Sequence, residues 1–576
     1  MKYNKKYIKV LGLAAAATLT FQACSDDWDE HYDVKPQGTG VTLWQTISSD
    51  PSLSNFAKVI RAAQYDRALA SSQVFTVFAP TNDKFTEEMA NEWIAIYQED
   101  KQDGVKDTEN RTIKEFVKNH IALYNHSVST EYNDTVVMMN GKYMPLTNGA
   151  DGATMGDENG QLTALNQLHS NGVLFTVANP LYYFPNVFEQ LGKIEGLDSI
   201  AKFMYDFNEY KFIPEQSVPG GIVNGQTVYL DSVTRLTNKL FNYVDNISVE
   251  DSTYWMVVPD NEKWTEMVNE YTNYFNFDDN VAKRDSLQHT WTRLSIIRGT
   301  VFSATVNPEK NIMDSVRSTN AMHYTSREIL YGNSDIAYYQ YNRPFDEGGI
   351  FSDVENFPCS NGEVRKANTW NIDKTQTFFQ LILTEGESRS YLAGVDGQLG
   401  TPEVPKTRTS YINVRPDNPF YEQVSGKSFI EIAPSTAAVN PSAMFYLSDV
   451  LSNLPYDVYV VMVPALAADT AATTAQRLPI KARFTLGYHD QSGKSVTTVL
   501  TREMESQADK IDTMLVGSNV VIPTCSYGLT EPQVTLNIES RVTSSQANKK
   551  FTRTMRVDAI ILKPHVEGSE EVETEK

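Results

Sequence analysis

Val77–Met89 reads VFAPTNDKFTEEM, and Met256–Met267 reads MVVPDNEKWTEM. Setting Pro80 over Pro259, an offset of 179 residues, also pairs Asn82 with Asn261, Lys84 with Lys263, Phe85 with Trp264, Thr86 with Thr265 and Glu87 with Glu266. In each copy an apolar run (Phe75 to Ala79, Tyr254 to Val258) stops at a proline, crosses a polar turn, and enters an amphipathic segment near the aromatic. The pattern predicts a strand-to-helix junction in both places. Proline suits the strand end because it cannot donate to the ladder. Asp83 and Glu262 are expected to accept the free N–H groups of the following helix's first turn. These residues describe a repeated structural corner, not an active site.

A second echo supports duplication. LHSNGVLFTVANPL (Leu168–Leu181) returns as PCSNGEVRKANTWNI (Pro358–Ile372), matching Ser170-Asn171-Gly172 to Ser360-Asn361-Gly362 at an offset of 190 residues. The larger offset means the second copy has gained residues between its landmarks, as surface loops tolerate. Both periods far exceed the roughly 20 to 50 residues of solenoid repeats, so whole domains are duplicated.

A chain of 576 residues, at about 150 residues per domain, implies three or four domains, each able to bury a core. Two repeats leave about 200 residues for one more. Aromatics at 11% and charged residues at 21% describe a folded chain. The net charge of −22 and the lack of clustered Lys and Arg beyond the leader exclude a nucleic-acid partner from the expected functions.

The leader carries the location. MKYNKKYIKV is a basic n-region, and LGLAAAATLTF is an apolar stretch too short to span a bilayer as a helix. It closes at Thr20-Phe21-Gln22-Ala23-Cys24, which resembles the lipobox of bacterial lipoproteins; the resemblance implies cleavage after residue 23 and lipidation of Cys24, although Phe21 stands where the box usually has leucine. Ser25-Asp26-Asp27-Trp28-Asp29-Glu30 resembles the acidic stretch that routes lipoproteins to the outer face of the outer membrane in glycan-foraging Gram-negative bacteria, and Val34 to Gly40 would complete a tether over 24–40. With Cys24 lipidated, Cys359 and Cys525 remain, expected as two free buried thiols; a disulfide between them is the alternative.

FTVFAPTNDKF (Phe75–Phe85), FVKNHIALYNHSV (Phe116–Val128) and SNGVLFTVANPL (Ser170–Leu181) together resemble the landmarks of fasciclin-like domains. That resemblance implies an α/β fold, a wedge-shaped β-sandwich with flanking helices, over 41–183, in a family that adheres and binds and shares no common catalysis. The second copy, 184–375, keeps the first and last landmarks, but its middle reads SIIRGTVFS (Ser295–Ser303) without histidine. It is a diverged copy.

His120 and His126 invite a metal reading, but a spacing of six suits neither one helical face nor one reliable strand face. His31, His169, His289, His323, His489 and His565 are scattered without a ligand pattern. His120 is expected as a packed or capping side chain in the apolar run His120-Ile121-Ala122-Leu123. No metal and no cofactor are expected. The sequence has no Gly-x-Ser-x-Gly elbow, phosphate-cradling loop or His-Glu-x-x-His helix.

After Lys374 the pattern changes. SFIEIAP (428–434), YDVYVVMVP (456–464), ARFTLGY (482–488), VTLNIE (534–539) and MRVDAIILKP (555–564) are short β-rich runs, with Ala482, Phe484, Leu486 and Tyr488 on one face and Arg483 and Thr485 on the other. They predict a separate all-β sandwich over 376–565, resembling galactose-binding-like jelly rolls, followed by an acidic tail, 566–576. The fold class is therefore multi-domain, α/β plus all-β.

A surface-anchored, aromatic-rich chain without a catalytic signature reads as a non-catalytic capture protein for an extracellular nutrient polymer, glycan before peptide, with the sandwich as the expected ligand surface and no individual contact residue assignable. Lipoproteins of this build resemble accessory subunits of starch-utilisation-type uptake systems, which implies a TonB-dependent outer-membrane barrel transporter and its lid lipoprotein as partners. An adhesin for cell-cell or host-matrix contact and a divergent glycoside hydrolase are the competing readings; a hydrolase's carboxylate pair is defined by separation in space, which sequence does not give.

Overall fold

The computed structural model describes residues 40–157, 159–223, 226–231, 233–307, 312–321, 338–387, 392–395, 407–531 and 533–565. The leader, Cys24, the acidic stretch, His31, His323 and the acidic tail lie outside the described residues.

Both junctions of the repeat are present. The strand Phe75–Pro80 is buried along its whole length and leads to the helix Glu87–Gln102; Tyr254–Pro259 leads to the helix Asn261–Tyr271. In each repeat this strand lies parallel to the last strand, Phe75 to Pro80 against Gly172 to Val177 and Tyr254 to Pro259 against Gly362 to Ala367. Each parallel pair is completed by a short antiparallel strand on one side (Ile121–Leu123, Val301–Ser303) and a hairpin partner on the other (Leu162–His169, Val354–Cys359). The two four-stranded sheets thus have the same strand order. Strands buried on both faces read as continuous apolar runs, as FTVFAP and GVLFTV do.

The expected helix caps are corrected. Thr86 Oγ1 accepts from Met89 N in the first copy, and the Asp260 side chain accepts from Lys263 N in the second. Asp83 precedes the first helix by four residues, and Glu262 already lies inside the second. An N-cap must have extended backbone with its oxygen aimed at N2 or N3, which Thr86 and Asp260 satisfy.

The C-terminal region is a two-sheet antiparallel sandwich. One sheet runs Thr407–Asn413, Ser428–Pro434, Met555–Pro564, Pro455–Met462, Asp512–Val521, with Ile382–Glu385 also paired to Met555–Pro564; the other runs Leu392–Val395, Ser442–Leu447, Val534–Ser540, Lys481–His489, Ser495–Glu505. Ala482, Phe484 and Leu486 are buried between the sheets, as their alternation requires, while Tyr488 is half-buried. The sandwich is not separate. Its core is continuous with that of the second repeat, through Phe275, Phe378 and Tyr527, and the seam is hydrogen-bonded: Ser452 N donates to Tyr274 O, Cys525 N to Asn276 O and Asp279 N to Gln491 O. Cys359 and Cys525 are free and buried, and burial pushes both thiols up to about 12, which keeps them unreactive.

Candidate ligand cleft between the two repeats

The shared motifs are structural. Asn171, 2% exposed, accepts from Leu43 N (2.8 Å) and donates to Leu69 O and Ser71 O (2.8 Å each). Asn361 does the same in its own repeat, accepting from Val187 N (2.8 Å) and donating to Ile247 O (3.0 Å) and Val249 O (2.7 Å). The glycine that follows is compulsory. Gly172 and Gly362 have φ of 145° and 138°, and a Cβ there would stand 1.9 and 1.8 Å from the carbonyl oxygens of Phe75 and Tyr254. Asn82 and Asn261 form a second matched pair, accepting from Asn55 N and Ser199 N at the starts of the helices Ser54–Ala62 and Asp198–Tyr205.

The histidines are used by the backbone. Leu181 N donates to His120 Nε2 (2.9 Å), so the ring proton sits on Nδ1 and is donated to Phe116 O (2.7 Å). Full burial holds His120 down at about 4. His126 Nε2 contacts Leu123 O, and the ring nitrogens of His169 contact Gln167 O and Thr46 Oγ1. His289 packs on Phe203, His489 Nδ1 meets Asp278 and His565 Nδ1 meets Asp457. The structure therefore does not bring His120 and His126 together with other ligands: among the described residues no three His, Cys, Asp or Glu side chains gather to hold a metal ion.

Between the repeats lies a cleft of about 1080 Å³. Its floor is an ion network. Lys142, 4% exposed, extends from the first repeat to Glu189 (2.8 Å), Glu250 (2.6 Å) and Ser360 Oγ (3.2 Å) of the second. Lys114 also meets Glu189 (2.5 Å), and Lys193 meets Glu115 (2.8 Å). The Tyr183 ring lies 5.1 Å from Lys142 Nζ and 5.5 Å from Lys193 Nζ. Burial opposes ionisation of Glu189, yet Lys114 and Lys142 outweigh it and hold the carboxyl at about 2. Tyr143 from the first repeat, 49% exposed, and Tyr210 from the second, 38% exposed, line the cleft with Tyr205, whose hydroxyl is held by Phe188 O and Gly192 N. Asn140, Asn208, Asn246 and Ser248 add hydrogen-bonding groups. The volume lies just above the about 300 to 1,000 Å³ of ordinary ligand sites, and aromatic faces with polar groups are what such sites contain.

None of the cleft residues was legible in the sequence, because the partners of Lys142 are 47, 108 and 218 residues away along the chain. The available signal was Asn140-Gly141, a hairpin turn that presents Lys142 and Tyr143.

Residues 51–183 match the family model for the Fasciclin domain. No curated protein matches the chain at significance. Among solved structures, the fasciclin domain pair from the insect cell adhesion molecule Fasciclin I is 13% identical, over 56% of this chain and 98% of that one, with a TM-score of 0.18. The xylan-binding domain of Paenibacillus barcinonensis Xyn10C is 12% identical over 33% of this chain and 96% of that one, with a TM-score of 0.20. The N-terminal modules of endo-1,4-beta-D-xylanase 10B from Clostridium thermocellum are 12% identical over 28% of this chain and 25% of that one, with a TM-score of 0.18. Within the fasciclin domain, then, the quoted motifs are scaffold, and the cleft is formed where that domain meets its diverged repeat. No helix of the described residues is long and apolar enough to cross a membrane.

Proposed function

We propose that this protein is a non-catalytic cell-surface lipoprotein, anchored through Cys24, that captures an extracellular nutrient polymer, a glycan, and presents it to an outer-membrane uptake complex. The observation that carries this reading is the cleft between the repeats, with Tyr143 and Tyr210 exposed and Asn140, Asn208, Asn246 and Ser248 in the same lining. Sugar rings bind through an apolar face against an aromatic and through hydroxyls at their edge, and a cleft of this volume accommodates several rings. This moves the expected ligand surface from the sandwich to the repeats. Leader and acidic stretch support the location and, with it, a barrel transporter and its lid lipoprotein as partners. Calorimetry of the purified chain against a polysaccharide and peptide panel tests the reading: Tyr143→Ala and Tyr210→Ala should each weaken binding about tenfold, about 1.4 kcal/mol, with no new reducing ends released. Binding indifferent to both substitutions would remove the cleft from the reading; reducing-end release would favour a hydrolase.

The adhesin reading is favoured by one observation, the fasciclin domain at 51–183. Self-association or host-matrix binding without polysaccharide affinity would select it, and co-purification with a barrel transporter from native membranes would select uptake.

A further inference from the structure

We infer that the cleft takes its glycan as the interior of an extended chain, lying along the strand Asn208–Phe212 and passing out over both rims, with Phe212 and Val137 as contacts beyond the lining; the inference rests on the capture reading above. On that strand Asn208, Tyr210 and Phe212 share one face, because successive side chains alternate. Tyr210 lines the cleft, and so does its register partner, Leu236. Phe212 lies outside the lining, but its register partner, Thr234, lies inside it. Partners on one face of an antiparallel pair stand about 5 Å apart between Cβ atoms, so Phe212 continues the wall that Tyr210 begins. Tyr229 of the neighbouring hairpin, Val218–Val223 with Gln226–Asp231, meets the Phe212 ring edge-on, 5.0 Å between centroids at 74°. That contact holds the ring and still leaves Phe212 39% exposed.

The wall across the cleft shows the same arrangement independently. Tyr143, on the strand Tyr143–Gly149, lines the cleft, and its register partner is Val137, exposed and outside the lining. The next pair on that face, Thr135 and Pro145, is exposed as well. Single exposed apolar side chains are ordinary, whereas apolar groups that carry on from a cleft at both rims mark a binding surface. A disaccharide is served by the lining alone; only a ligand that continues past it covers the rims. The strand also selects the shape of the chain. Outward side chains on one strand stand in line about 7 Å apart, so rings that meet Tyr210 and Phe212 in turn belong to a straight chain with its apolar ring faces turned to the wall. That is the class of β-1,4-linked polysaccharides, not of coiled α-1,4-glucans.

The test titrates the full purified chain, by calorimetry, with cello-, xylo- and manno-oligosaccharides from the disaccharide to the octasaccharide, and with malto-oligosaccharides as the coiled series. At least one extended series should bind about tenfold tighter at its longest member than at its shortest. Phe212→Ala should remove that gain at an unchanged melting temperature while disaccharide affinity stays within about twofold. Phe212→Trp should keep the gain, and Val137→Ser should reduce it. Tyr411→Ala, as exposed at 39% but on the sandwich, should change nothing. Affinity independent of length, or a gain that survives both Phe212→Ala and Val137→Ser, would overturn the inference while leaving capture intact. A lowered melting temperature with the gain intact would make Phe212 a packing residue of the two hairpins and overturn it too. Preference for the malto series, or polysaccharide binding with no extended oligomer bound, would overturn the extended class. Binding to no polysaccharide, with Tyr143→Ala and Tyr210→Ala silent, would defeat capture and inference together.

Discussion

Asn171 and Asn361 each close three backbone hydrogen bonds in their repeat, one with an N–H at the start of a helix and two with carbonyls of the segment leading into the central strand. Removing the side chain strands buried backbone groups that water cannot reach. Asn171→Ala should therefore lower stability by about 3 kcal/mol, read as a shift of the first unfolding transition in urea; a change below about 0.5 kcal/mol would show that solvent replaces those bonds. His120 gives a pH signature. Its folded value, about 4, lies below the ordinary 6.5 because full burial disfavours the charged ring, and protonating Nε2 would also set an N–H against the Leu181 N–H already aimed at it. Below pH 6.5 the unfolded chain takes up a proton that the folded chain refuses, so stability is complete above 6.5 and falls toward pH 4, by about 3 kcal/mol at most. His120→Gln should flatten that slope; an unchanged slope would assign it to the other histidines.

At the scale of elements, the helix Glu87–Gln102 separates two cap candidates that sequence spacing alone confuses. Thr86→Ala should cost about 1 kcal/mol by thermal melting, while Asp83→Ala, exposed and outside the helix, should stay within about 0.5 kcal/mol. The reverse ranking would restore Asp83 as the cap. The repeat's own logic explains why the helix starts differ: with Pro80 over Pro259, the second helix begins at Asn261, the counterpart of Asn82, and the first begins five residues later at Glu87. Both asparagines nevertheless keep the same task, accepting from the first turn of an earlier helix. A shared contact thus survives around a variable helix start.

Across the whole molecule, the buried Lys142 ties the fasciclin domain to its diverged copy, and the second repeat is fused to the sandwich by a common apolar core. Lys142→Met leaves the half-buried Glu189 and Glu250 beside one fewer cation. It should cost about 3 to 5 kcal/mol and expose a separate early transition for the first repeat in calorimetry; a single unshifted transition would show that the repeats are held by other contacts. Glu189, held at about 2 against an ordinary 4.5, contributes stability that is present above pH 4.5 and lost as pH falls through 2. Cleft binding should follow the same acid limit, since the floor of the cleft is this network.

What the sequence determined by itself is whatever is encoded within a few residues: the apolar runs that become buried central strands, the Asn-Gly pair whose glycine alone fits at φ near 140°, the period-two alternation of Ala482, Phe484 and Leu486, and the duplication, because repeated local chemistry is visible as repeated letters. His120 was legible as a packed side chain for the same reason, sitting in an apolar run. Tertiary structure alone decided the rest. Lys142 meets Glu189, Glu250 and Ser360 only after two domains dock, Phe275 meets Phe378 and Tyr527 only when the sandwich folds onto the second repeat, and Tyr143 and Tyr210 come to line one cleft only because the two repeats pack side by side. Domain docking buries surfaces whose patterns are polar and aperiodic in each chain segment, so no local period announces them. The candidate site is built from that docking.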